Sequence, residues 1–293
     1  MESRTVLSDV LKALHEERSL SRFFTLCWRY GRETAEQNAS LRRSFRRHAV
    51  GLVLAMLALD ALVWTLHPGA AALALAVTGA VWLAAVLLVA WFLLGLLCTE
   101  DGSPLPRLGL PNTLTVTRLA FLAPMFHLVA AHDEFPALRA PLLGAFALLA
   151  LSDAADGFLA RRLRLESVFG RVVDPVSDMV FNSMVALALV LAGALPWWLL
   201  LLVWPRYFVP LVGGYYLFLT HGPFRIHPTR IGKLTGFVLG LLLGAALIEA
   251  LYPGILPQGL ALALVGVVAV LLLSNVVYVV LFGLGELRGG GSR

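Results

Sequence analysis

The chain is poor in charge. Of its 293 residues only 14% are Asp, Glu, Lys or Arg, while 59% are hydrophobic. A soluble domain carries about a quarter charged residues, so a membrane is the expected solvent. Cysteine is equally scarce. Cys27 and Cys98 both fall in segments expected on the reducing, cytoplasmic side, which argues against a disulfide framework. No cluster of Cys and His has the spacing of a zinc site. The N-terminal stretch is polar and charged rather than apolar, unlike a cleavable signal peptide. The net charge of +5 has no nucleic-acid recognition module behind it; anionic membrane lipids and phosphorylated substrates explain it more simply.

Long apolar runs are what the sequence has in quantity. About 20 apolar residues cross a bilayer core. Eight runs qualify, at 49–66, 70–98, 113–132, 137–160, 175–193, 195–220, 232–251 and 258–284. Arginine and lysine gather in 1–48, in the loops after the second, fourth and sixth runs, and in the tail. On the opposite side stands Arg139 alone. By the positive-inside rule both termini are expected in the cytoplasm. The fold class is therefore all-α and polytopic.

Residues 1–48 form the first segment. Leu7, Val10, Leu11 and Leu14 recur at helical spacing, which fits a solvated helix or, preferably, one lying on anionic lipid. Residues 49–98 read as a hairpin closed by "HPG", and 99–112 as a cytoplasmic linker broken by Gly and Pro. Residues 113–285 are the six-span core, and 286–293 a flexible tail. Gly232, Gly236, Gly240 and Gly244 recur every fourth residue. Such a stripe permits close helix packing, within the chain in preference to between copies. Asp60 is expected to bond a neighbouring helix, and His127 to pack beside a kink at Pro124.

The chemistry concentrates in "SDAADGFLARRLRLESVFGRVVDPVSD". Asp153, Asp156, Gly157, Ala160 and Arg161 share one helical face, as do Gly170, Asp174 and Asp178 on the next helix. A short connection makes the two helices antiparallel neighbours. Four carboxylates brought together at a membrane edge repel one another unless cations intervene. An all-oxygen set suits Mg²⁺ or Mn²⁺, and two such ions form a clamp for phosphate oxygens. Gly157, Ala160 and Gly170 leave bare backbone beside it, and Arg161 offers charge-assisted hydrogen bonds. The bland alternative is a set of solvated helix ends, with Asp174 capping a helix at Pro175. That explains one aspartate of the four.

The motif D-x2-D-G-x2-A-R-x8-G-x3-D-x3-D, filled here from Asp153 to Asp178, resembles the signature of the CDP-alcohol phosphotransferases. The resemblance extends over about residues 105–285. "PNTLTVTR" adds to it, with Asn112, Thr115 and Arg118 on one helical face. The resemblance implies transfer of a phosphatidyl group from CDP-diacylglycerol to an alcohol with loss of CMP. It implies that Asp153, Asp156 and Asp174 hold metal, with Asp156 also near the nucleotide. Asp178 would be the base and would also touch metal. Asn112, Thr115, Arg118, Asp156, Gly157, Ala160, Arg161 and Gly170 would receive the CDP-lipid. A homodimer and an inner-membrane setting, with the site at the cytoplasmic face, go with the same resemblance.

The acceptor is read from a second basic group, Arg206 inside a span and Arg225, Arg230 and Lys233 after it. Arginine forks match phosphate, so glycerol 3-phosphate leads. "RIGKLT" and "VFGRVVDPVSD" look most like the phosphatidylglycerophosphate synthase and cardiolipin synthase branch. That branch usually has lysine after the fourth aspartate, where Met179 stands here. Phosphatidylglycerol, inositol phosphate, inositol and serine stay open as acceptors. Hydrolysis of the donor by water and a non-catalytic membrane scaffold are the rival classes.

Overall fold

The computed structural model describes residues 20–99, 103–163, 167–221 and 230–289. Within its helices the side chains of 20, 23, 153–161, 163, 217–221, 230 and 284–289 lie outside the description. The expected amphipathic stretch around Leu7–Leu14 therefore also lies outside the described residues. So does Arg225. The chain falls into two compact units, Met1–Phe181 and Asn182–Arg293.

The first unit opens with α1 (Leu20–Gln37) and α2 (Ala39–Leu66). Asn38 separates them and caps α2, its side chain accepting from the Leu41 amide. The cap explains why α2 starts ten residues before the expected span. The basic stretch "LRRSFRRH" forms the first turns of the same helix rather than a separate segment. After the "HPG" turn come α3 (Ala70–Phe92) and a 3-10 turn, Leu93–Leu96. Next are α4 (Leu110–Ala130), α5 (Arg139–Leu163) and α6 (Val168–Leu191), the last continuing into the second unit. In the second unit α9 (Gln258–Gly289) packs on both α7 (Leu200–His221) and α8 (Arg230–Leu251). Helix α9 thus runs into the expected tail.

Seven of these helices are long and apolar enough to cross a membrane. The remaining expected span, 137–160, is the 25-residue α5, whose apolar part among the described side chains is Pro136–Ser152. The motif's charged residues occupy the rest of it. Large apolar side chains such as Leu54, Val81 and Leu262 point outward, as a lipid-facing surface requires. Helix α4 is the exception within the first unit: 56% of its span is buried, against 17% for α2 and 22% for α3. Buried Leu41, Phe45, Leu52 and Met56 of α2, Leu83 of α3, Val116 and Ala120 of α4, and Val168 and Phe169 of α6 form one apolar cluster.

The stretch between α3 and α4 is pinned. Leu97, Cys98 and Leu108 are buried in that cluster. Cys98 bridges to Pro104, and its carbonyl accepts from the Val168 amide at 3.0 Å. Asn38 donates to Leu105 O at 3.0 Å, and the Leu108 amide donates to Ser44 Oγ at 3.3 Å. Gly109, at φ +77°, turns the chain into α4, where Pro111 occupies the first turn. This strap fixes the start of both α4 and α6.

His127 packs half-buried with its ring 6.3 Å from Phe135. Trp82 of α3 donates to Leu119 O at 2.6 Å, close to Pro124. Asp60 departs from expectation: its Oδ1 is buried without a hydrogen-bond partner among the described residues. Its helix neighbours Met56 and Val63 are buried apolar groups that offer none.

Helix α1 meets the end of α3 backbone to backbone. A Cβ at Gly31 would stand 2.8 Å from Trp91 O, and one at Gly95 would stand 2.9 Å from Tyr30 Cβ. Gly31→Ala is expected to cost about 1–3 kcal/mol, read as a lowered unfolding midpoint in detergent. An unchanged midpoint would mean that this contact contributes nothing to stability.

Candidate active site

Asn112, Thr115 and Arg118 are spaced three apart on α4 and lie on one face. All three are buried, at 2%, 1% and 2% exposure. Buried polar groups need partners, and α6 supplies them in register. Asn112 Oδ1 accepts from Ser167 Oγ at 2.9 Å, and its Nδ2 donates to Leu108 O at 2.6 Å. Thr115 Oγ1 shares its proton between Pro111 O and Asp174 Oδ1, each at 3.2 Å. The Arg118 guanidinium donates to Ser177 Oγ from Nε at 3.3 Å and from Nη2 at 3.0 Å. Nη2 also reaches Asp178 Oδ1 at 3.2 Å. Along this seam α4 and α6 run parallel, with successive α4 residues meeting successive α6 residues.

The start of α6 corrects the expected boundary. Ser167 caps the helix, its Oγ accepting from the Gly170 amide at 3.0 Å. The helix continues through Pro175, which removes one amide donor. Asp174 is therefore an interior helical residue and not a cap. Gly170 matters for its missing side chain. A Cβ there would lie 3.3 Å from Asn112 Oδ1, 3.4 Å from Ser167 Oγ and 3.5 Å from Asp174 Oδ2. Three oxygens thus converge over bare backbone.

Asp178 differs from its neighbours in being 45% exposed, while the guanidinium that reaches it is buried. A rigid cation on the inner side and access on the outer side hold this carboxylate at the rim. Asp153, Asp156, Gly157, Ala160 and Arg161 lie on the last turns of α5, with side chains outside the described set. Helix α5 packs along α4. Phe146 of α5 and Phe181 of α6 stack at 6.1 Å, with α5 ending at Leu163 and α6 beginning at Val168. The motif thus lies at the closed end of an α5–α6 hairpin. Among the described residues no three carboxylate, His or Cys side chains form a metal-binding group; two of the four aspartates are in that set.

Ser167 and Ser177 join the candidate site, and the motif alone does not single them out. Ser167 had a signal, as a cap residue three before Gly170. Ser177 is fully buried, and only the fold reveals Arg118 opposite it.

In the second unit Arg206 of α7 donates from Nη2 to Gly232 O at 3.1 Å. Its Nη1 is buried without a hydrogen-bond partner among the described residues. A Cβ at Gly236 would come within 3.2 Å of Nη2, whereas one at Gly240 would meet nothing within 4 Å. Part of the glycine stripe therefore accommodates the arginine of a neighbouring helix, α7. Lys233 is exposed on the first turn of α8, and Arg230 opens that helix with its side chain outside the described set.

Comparison with known proteins agrees with these features. A family model described as CDP-alcohol phosphatidyltransferase matches residues 108–281. The chain is 42% identical over 99 residues to a CDP-diacylglycerol–glycerol-3-phosphate 3-phosphatidyltransferase of Pectobacterium atrosepticum, covering 32% of this chain and 50% of that one. It is 37% identical over 83 residues to a chloroplastic enzyme of the same name from Oryza sativa subsp. japonica, covering 28% and 24%. It is 35% identical over 88 residues to a CMP-forming cardiolipin synthase of Rattus norvegicus, covering 30% and 28%. The chain thus spans half or less of each of these relatives. No solved structure matches it.

Proposed function

We propose, from the premise that this chain belongs to the CDP-alcohol phosphatidyltransferase family, that it moves a phosphatidyl group from CDP-diacylglycerol to an acceptor alcohol and releases CMP. The observation that carries the reading is the α4–α6 seam, which holds Asp174 by Thr115 and Asp178 by Arg118 at one rim.

The oxygens gathered around Gly170 and the rim carboxylate make a hard, oxygen-only donor set, which fits Mg²⁺ or Mn²⁺. Asp153, Asp156, Asp174 and Asp178 would hold the ions. When bound, the ions would neutralise the donor pyrophosphate and stabilise the departing CMP oxygen. Chelation is therefore expected to abolish CMP release, and Mg²⁺ or Mn²⁺ to restore it.

The chain's own residues do the rest. Gly157, Ala160 and Gly170 leave backbone open for the donor, and Asp156 and Arg161 receive its nucleotide and phosphates, while Asn112 holds Ser167 at the start of α6. Thr115 and Arg118 act on the donor by positioning the carboxylates. Asp178 takes the proton of the acceptor hydroxyl. That oxygen bonds to the lipid-side phosphorus, the bond to the CMP oxygen breaks, and CMP leaves with the electron pair. The protein works in a cell inner membrane with this rim at the cytoplasmic face, as the charge asymmetry supports.

Glycerol 3-phosphate is the leading acceptor. Arg206 supports it, since a buried guanidinium nitrogen with no partner among the described residues suits a phosphate oxygen; Arg225, Arg230 and Lys233 follow it in the chain. The relative named for cardiolipin synthesis makes phosphatidylglycerol the second reading. Equal concentrations of glycerol 3-phosphate, phosphatidylglycerol, inositol phosphate, inositol and serine, offered singly with CDP-diacylglycerol, decide between them. The expected result is fastest CMP release with glycerol 3-phosphate, and loss of that preference in Arg206→Gln. A faster reaction with another acceptor would overturn the assignment.

A further inference from the structure

We propose that a cavity at the foot of α2 binds the phosphate of an anionic phospholipid, at a site separate from the catalytic rim. The cavity measures about 610 Å³ and is lined by Ser40, Arg43, Arg46, Arg47, Val50 and Arg107. It lies outside residues 108–281, the part of the chain that carries the family match.

Four guanidinium groups line one space. Among the described residues none of them pairs with a carboxylate; the acids of α1, Glu33 and Glu36, are taken by Arg29 and Arg32. Arg43 spends its Nε on Ala39 O. Like charges gathered this closely repel unless an anion joins them, and planar guanidinium forks match phosphate oxygens.

The site is built rather than incidental. Ser40, Arg43, Arg47 and Val50 recur at intervals of three and four on α2 and share a face. Arg107 comes from the strap before α4, which is tied to the α1–α2 region on both sides of it. Asn38 holds Leu105 O, and Ser44 holds the Leu108 amide. The fourth arginine is thereby fixed against the helix.

Depth points to a lipid as the carrier of the phosphate. Val50 lines the cavity, and Val53, Leu54 and Leu57 continue outward-facing along α2. The surface passes from arginine to exposed apolar side chain within about a turn, as it does at headgroup level. A phosphate in the cavity leaves its acyl chains lying along that apolar strip. A free phosphate would have no use for it. The volume falls within the range of about 300–1,000 Å³ typical of small-ligand sites, enough for a headgroup.

The test uses the full chain in phosphatidylcholine nanodiscs doped with phosphatidate, counting bound phosphatidate by native mass spectrometry. Wild-type protein is expected to show saturable binding. Arg107→Gln and Arg47→Gln, both at exposed positions, should each need about tenfold more phosphatidate, the scale of one charged hydrogen bond. Arg42→Gln removes the same charge from the same segment outside the cavity and should change binding less than twofold. Equal weakening by all three variants would mean diffuse attraction and overturn the proposal, as would binding that never saturates. A parallel arm in phosphatidylcholine alone adds inorganic phosphate. If inorganic phosphate fills the site as tightly as phosphatidate, measured by protection of Arg107 from arginine-directed labelling, the ligand is soluble and the lipid assignment fails.

Discussion

Asp178→Asn is expected to lower CMP release by about 10²–10⁴-fold, the usual contribution of a general base, while the protein stays folded and still binds donor. The side chain is half-exposed, so the exchange buries no new polar group. Asparagine keeps an oxygen that can accept from Arg118 Nη2, now 3.2 Å from Asp178 Oδ1. What it loses is the capacity to take a proton. Turnover with labelled CDP-diacylglycerol, beside a donor-binding isotherm, separates the two effects. A weakened metal site would recover as Mn²⁺ is raised, whereas a missing base would not. Full turnover in this variant would place the base elsewhere.

The second large effect is expected at Arg118. Its guanidinium is 2% exposed and joins α4 to α6 through Ser177 and Asp178. Arg118→Ala empties the buried space of a long side chain and strips buried Ser177 of its partner, changes of a kind that cost about 2–5 kcal/mol. Most of the folded protein should be lost, seen as a collapse of the thermal transition in detergent. Arg118→Lys keeps the charge but replaces a planar fork by a single ammonium, which cannot reproduce contacts from both Nε and Nη2. That variant should fold and lose kcat with little change in donor KM, because Arg118 positions Asp178 without touching the donor. A rise in KM at constant kcat would instead mean direct donor contact. Ser177→Ala should be milder, at about 1–3 kcal/mol for a donor left without its acceptor.

Much of this was legible before any coordinates. Long apolar runs give the helices because a bilayer admits little else. The spacing of Asn112, Thr115 and Arg118 gives a face, and the acidic motif gives two more. What the linear reading misses depends on partners distant in sequence. Charge disguised the start of α2, since "LRRSFRRH" is too polar to count as a span although Asn38 caps a continuous helix through it. Pro175 disguised the start of α6, because the cap that begins the helix is Ser167. The strap from Leu97 to Leu108 has the Gly and Pro content of a loose linker, yet Leu97 and Leu108 are buried in the first unit's core. Glycines at 31 and 95 look unremarkable in sequence and turn out to be where two backbones meet.

The transfer reaction is tested most directly by following the acyl chains. Purified full-length protein would be given CDP-diacylglycerol labelled in its acyl chains, glycerol 3-phosphate and Mg²⁺. CMP and labelled lipid product would then be quantified together. The expected result is labelled phosphatidylglycerophosphate formed in equal amount to CMP, with neither formed in the presence of chelator. Label recovered as phosphatidic acid, with CMP released whether or not acceptor is present, would contradict transfer and identify a hydrolase. Bound donor with no CMP under any of these conditions would contradict catalysis altogether.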